Sequence, residues 1–233
     1  MLTWPTATFS SASVGRCRKT LPSSPDQAGP RNSPSFDEVV RARRMTRAFT
    51  DLPVADDSLD RILAHGQRGP SAGNTRSLEL LVLLGERVGR YWEVTLPASR
   101  RPEFPWPGLL RAPVLVVPYV SPARYVDRYA EHDKVDSGLG ESEAMWSVPY
   151  WWVDGGAAVQ NMLLAAVAEG LGVCLFGQFD HEAAVRDVFG VPEGQRAVGT
   201  VALGHADDNA DRLSRSASRP RRGLDETVHR NRW

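Results

Sequence analysis

The sequence predicts an α+β layered domain, and two observations carry that prediction. The patterned segments run two helices, two strands, a long apolar helix, then strand, helix and strand, which is not the regular alternation of a doubly wound sheet. The long helix, residues 154–169, bears charge only at its two ends. Such a helix needs cover on every side, and in a domain this small that cover points to a subunit interface.

Residues 1–34 are rich in Ser, Pro and Thr and set Arg16, Arg18, Lys19 and Arg31 against the single acid Asp26. Without apolar periodicity or a hydrophobic h-region, they read as a disordered leader, an inert extension or the product of an upstream start codon, ahead of a domain over 35–233. Order begins at Ser35, which has capping-box spacing to Glu38 ahead of a short helix that runs into the cationic stretch 41–47. A second helix opens near Asp56 and Asp57, presents Leu59, Ile62 and Leu63, and closes at the loop Pro70-Ser71-Ala72-Gly73-Asn74. Residues 78–84 and 112–120 read as strands, the first largely buried and the second with Pro113 and Pro118 near its ends. After the apolar helix come Gly170-Leu171-Gly172, a strand-like run to Phe176, a helix over about 181–189 and a third strand over about 197–203.

The 28 basic residues balance the 28 acidic ones, so no global field draws the chain to nucleic acid or an anionic membrane. Any anion site is therefore local, and because Lys19 and Lys134 are the only lysines it is built from arginine. Cys17 and Cys174 lie far apart and match no metal-ligand spacing, which fits a reducing cytoplasm. The longest apolar run, 162–168, falls far short of the ~18 residues of a membrane span. Gly170-Leu171-Gly172 closes a helix and enters a strand, the reverse of a dinucleotide fingerprint. Walker, nucleophile-elbow and H-E-x-x-H motifs are absent, and no two histidines have helical metal-pair spacing.

Four stretches remain: Arg43-Arg44-Met45-Thr46-Arg47-Ala48-Phe49, the Pro70-to-Asn74 loop, Asp154-Gly155-Gly156-Ala157-Ala158-Val159-Gln160-Asn161 leading to Gly170-Leu171-Gly172, and the basic tail Arg219-Pro220-Arg221-Arg222. Each alone is a weak signal, since basic runs are mostly solvated faces. Together, in order and spacing, they resemble the nitroreductase family, from about Ser35 to Arg222.

The resemblance implies a three-layer α-β-α sandwich with a mainly antiparallel sheet, a homodimer whose interface forms the flavin sites, and FMN as cofactor with NADH or NADPH as electron donor. It implies an oxidoreductase that passes a hydride from NAD(P)H to a small organic acceptor (a nitroaromatic, quinone or enone) by a ping-pong cycle. A non-catalytic FMN-storing or redox-sensing protein, or a flavin-dependent dehydrogenase of a natural product, fits the same motifs. By the same resemblance Arg43 and Arg222 grip the FMN phosphate, with Arg221 or Arg219 assisting. Arg44 belongs to the same motif or is a surface charge. Arg47 faces the flavin N1 and C2 oxygen. Asn74 bonds the pyrimidine or ribityl edge, and Ser71 shares its loop or caps a turn. Backbone of Phe176, Gly177 and Gln178 lies near N5.

Two departures stand out. Met45 replaces the family's usual serine and cannot donate a hydrogen bond. Arg76-Ser77 stand in place of Gln-Pro, adding a cation that favours an acidic substrate or sits on the surface. The aromatic-rich segment 121–153 lies where the family places a variable insertion, so Tyr125 and Trp146 are candidate acceptor contacts, or else simply pack against the helix that follows.

Overall fold

The computed structural model describes residues 34–212 and 218–233; of the predicted leader over 1–34, residues 1–33 lie outside the described residues. The Ser35 side chain accepts the Glu38 N–H and the Glu38 carboxylate accepts the Ser35 N–H, so the predicted capping box starts α1 (Phe36–Ala42). The helix stops at Ala42, before most of the cationic stretch. Residues 43–49 run extended along the sheet, with the Thr46 N–H donating to the Val173 carbonyl at 2.8 Å and Phe49 bridging Ala206. α2 (Asp56–Gly66) follows with Leu59 and Ile62 buried.

The sheet holds β1 (Glu79–Leu84), β2 (Val114–Val120), β3 (Gly172–Phe176), β4 (Arg196–Ala197) and β5 (Thr200–Gly204). Its order is β1-β2-β5-β3, with β4 also paired to β2, and every pairing is antiparallel. β1 was expected to be largely buried, but it is an outer strand in which only Leu83 is buried. β2 is buried along its whole length because both of its faces are covered.

Alternation along β2 sorts the core into two layers. Val114 and Val116 pack with Leu59 and Ile62 of α2 and with Val159, Met162 and Leu163 of α5 (Tyr150–Ala168). Leu115, Val117 and Tyr119 face Tyr91 and Trp92 of α3 (Glu86–Thr95) and Val185 of α6 (Glu182–Phe189). The result is the expected α-β-α sandwich, with α3 as a helix the pattern reading did not assign. Two further helices are α4 (Pro122–Tyr129) and the short α7 (Leu224–Thr227).

α5 starts one turn earlier than expected, taking Trp151 and Trp152 into its first turns. Nor is it covered on every side within the chain. Val153 is 48% exposed, and Gly156 and Gln160 are also exposed, which leaves one stripe of an otherwise apolar helix without cover. Gly170 closes it in the left-handed conformation, with the Leu171 N–H returning to Ala166.

Candidate functional site

The loop after α2 is bent at three left-handed residues, Gly73, Asn74 and Arg76, with φ of 60°, 57° and 52°. Four contacts hold that shape. The Ala72 N–H donates to Oδ2 of Asp154 at 2.7 Å, and the Thr75 hydroxyl donates to the Ala72 carbonyl at 2.6 Å. The Arg76 N–H donates to Ser71 Oγ at 2.8 Å, and Arg128 Nε donates to the Gly73 carbonyl at 2.8 Å. Arg128 is itself fixed by a fork of bonds to both oxygens of Asp133, which holds that carboxyl down at about 2. Glycine suits position 73, where φ is 60° and a Cβ would sit 2.6 Å from the Tyr129 ring unless that ring shifted.

This loop walls a cavity of about 630 Å³. Ser71, Asn74, Arg76 and Tyr125 line it together with Arg68 and Asp154. Tyr125 is 1% exposed and donates its O–H to Asp154 at 2.7 Å; burial above all, then that carboxylate, pushes the phenol up to about 12. Trp146 does not line the cavity. Its indole N–H donates to the Leu139 carbonyl and its ring packs on Tyr125, Tyr129 and Trp151, so it supports the wall from behind.

A second cavity of about 350 Å³ opens against the α3 layer. Arg47, Phe176, Gly177 and Gln178 line it with Tyr91, Trp92, Phe104 and Trp106. The Arg47 guanidinium lies 5.4 Å from the Trp106 ring centre, and Trp92 stacks on Phe176. Beneath the 176–178 turn, Gln178 Nε2 donates to Thr200 Oγ1, which also bonds the Tyr91 hydroxyl at 2.7 Å. Burial pushes Tyr91 and Tyr119 up to about 12. Arg47, Phe176, Gly177 and Gln178 were named from the sequence, but the Tyr91, Trp92, Phe104 and Trp106 walls were not, although Val88, Tyr91 and Trp92 have helical i, i+3, i+4 spacing behind Gly85-Glu86.

The remaining predicted residues fall elsewhere. Arg44 pairs with Asp208 and Asp211 at the surface. Met45 turns inward against both halves of the core, and its sulfur accepts the Leu175 N–H at 3.4 Å. Arg43 is half-buried, and its Nη1 is buried with no hydrogen-bond partner among the described residues. Arg221 is exposed, and Arg222 bonds to Glu226; neither lines these cavities.

A profile described as the Nitroreductase family matches residues 40–205, well over half of the chain. The chain belongs to the nitroreductase family. It is 27% identical over 213 residues to a nitrobenzene nitroreductase of Ectopseudomonas oleovorans, covering 80% of this chain and 93% of that one. To a 4-nitrobenzoate reductase of Pseudomonas putida it is 26% identical over 206 residues, covering 75% and 87%. Among solved structures, the nitroreductase family protein of Streptococcus pneumoniae TIGR4 aligns with a TM-score of 0.63 at 17% identity, covering 84% of this chain and 100% of that one. A putative nitroreductase in complex with FMN from Desulfovibrio desulfuricans aligns at 0.58 and 24% identity, covering 85% and 97%.

As a nitroreductase the chain is an NAD(P)H-dependent oxidoreductase that uses FMN. Two features of the structure suit that cofactor. Arg43 lines neither cavity, but its buried Nη1 has no hydrogen-bond partner among the described residues and so has a donor left for an anion. The 176–178 turn lies beside a cavity walled by flat aromatic rings and the Arg47 guanidinium, which suits a planar ring that gains negative charge on reduction. Among the described residues, no helix is long and apolar enough to cross a membrane.

Proposed function

We propose that two copies of this chain join along the uncovered stripe of α5, and that each flavin site combines the aromatic cavity of one copy with the Ser71 and Asn74 cavity of the other. The observation that carries this reading is the division itself: residues matching one family's cofactor motifs line two separate cavities in a single chain. In the assembled site Arg43, joined by Arg222 or Arg221 of the tail, holds the FMN phosphate, with Arg44 left to its own carboxylate pairs. Arg47 stabilises the pyrimidine end of the ring, the 176–178 backbone faces N5, and Ser71 and Asn74 bond the ring or ribityl edge. Bound there, FMN supplies a ring that takes a hydride from NAD(P)H and yields it to an acceptor. The chain's own part is to bind and orient the donor and the acceptor in turn at one ring face and to exclude water from it, as a ping-pong cycle requires.

The acceptor on this reading is a small nitroaromatic, quinone or enone, Tyr125 walls its side of the site, and the enzyme works in the cytoplasm. Residues 1–34 stand outside this chemistry, consistent with a family match that begins at residue 40. Arg43→Ala tests the phosphate clamp. Loss of charge-assisted bonds should lower FMN affinity roughly tenfold or more while circular dichroism shows the fold intact. A variant that retains its full complement of FMN rejects the assignment, and a chain that sediments as a monomer with FMN bound rejects the shared site.

A further inference from the structure

We propose that Arg76 selects an acceptor that carries a carboxylate, with Arg68 adding to the positive field of the same cavity. The inference rests on the reading above, in which this cavity forms one side of the flavin site and its Tyr125 wall meets the acceptor, and goes beyond it by naming the acceptor's charge.

Arg76 is exposed, as is Arg68, but the backbone and Nε of Arg76 are both fixed by hydrogen bonds within the loop. Its backbone adopts φ of 52°, a left-handed conformation that a non-glycine residue rarely takes. Its N–H is fixed to Ser71 Oγ and its Nε to Asn74 Oδ1, each at 2.8 Å. With Nε occupied, the two terminal nitrogens remain to form the planar fork that matches a carboxylate. Among the described residues, neither Arg76 nor Arg68 pairs with a carboxylate, and both line the 630 Å³ cavity. The other charged side chain lining it, Asp154, has its Oδ2 taken by the Ala72 N–H and the Tyr125 O–H. Among the described residues, the cavity therefore offers an oriented cation with no carboxylate partner, beside an Asp154 whose Oδ2 is already bonded and a Ser77 whose buried Oγ has no hydrogen-bond partner. A carboxylate on a flat acceptor completes that arrangement, whereas a neutral acceptor leaves the fork to water.

An anion on the donor, the 2′-phosphate of NADPH, has related chemistry, and the experiment separates the two sources. Holoenzyme, Arg76→Gln and Arg76→Asn are compared with 4-nitrobenzoate and nitrobenzene, which share the nitro group and differ in the carboxylate. The asparagine variant tolerates the left-handed backbone and so guards against misfolding. Affinity of the oxidised holoenzyme for each acceptor is measured by calorimetry, kcat/KM in turnover, and flavin bleaching anaerobically with NADH and NADPH. The expected result is a preference for 4-nitrobenzoate that falls roughly tenfold or more in both variants, in affinity as in kcat/KM, with the NADPH to NADH ratio unmoved. Equal losses for both acceptors, an unchanged preference, or a shift in the donor ratio instead would each overturn it. If the wild type turns over neither acceptor yet binds 4-nitrobenzoate through Arg76, the proposed activity fails and the carboxylate site stands.

Discussion

The Tyr125 hydroxyl and the Ala72 N–H meet at one oxygen of Asp154, each donating at 2.7 Å. Asp154 is 7% exposed, so the start of α5 holds both the wall and the loop of the larger cavity through a single buried carboxylate.

Tyr125→Phe should therefore be felt in the loop as well as in the wall. Removing the hydroxyl leaves a buried acceptor short of a donor, at a cost of about 1–3 kcal/mol. Denaturant unfolding should show that loss, and flavin fluorescence should show weaker FMN retention as the Asn74 loop slackens. An unchanged midpoint together with unchanged retention would mean that the bond carries no strain-free support for the loop.

Gly73→Ala should cost more than Gly190→Ala. Both glycines have positive φ, 60° and 68°, so both substitutions bear the left-handed penalty of about 1–2 kcal/mol. Only position 73 adds a collision, with the Tyr129 ring, whereas a Cβ at 190 meets nothing within 4 Å. Equal denaturation midpoints for the two variants would show that Tyr129 moves aside freely.

The third prediction concerns alkaline pH. Tyr91, Tyr119 and Tyr125 are each raised from 10.0 to about 12, chiefly by burial, so the fold favours their neutral forms. That contribution is complete below pH 10 and is lost as pH climbs toward 12. Absorbance at 295 nm should show these three phenolates appearing late and together with unfolding, and Tyr125→Phe should remove one of them. Ionisation of all five tyrosines near pH 10 in the folded protein would refute it.

What the sequence revealed was local. The capping box at Ser35, the strand over β2, the apolar α5 and the turn at Pro70 to Asn74 are each encoded within a few neighbouring residues. The fate of Arg44 was not legible, since its partners Asp208 and Asp211 lie more than 160 positions away. Met45 lacks the family's serine hydroxyl, but nothing near it in sequence says that its sulfur faces Leu175. Aromatic density in 121–153 marks both a ligand wall and a packed cluster, and only three-dimensional placement divides Tyr125 from Trp146. The separation of the motif residues into two cavities was likewise not legible, because a motif's order along the chain does not say which wall of the fold each residue lines.

The strip from Arg43 to Phe49 also bears on how the protein fails. β3 is an outer strand, and such a strand is a template on which other chains can polymerise. Thr46 and Met45 occupy that border, capping the Val173 carbonyl and the Leu175 amide. Arg43 and Arg47 belong to the same strip, so the residues that shield the edge strand are chain neighbours of those proposed to hold the cofactor's charges. Blunting of that margin is therefore built into the chain itself, through the contacts that Thr46 and Met45 make with β3.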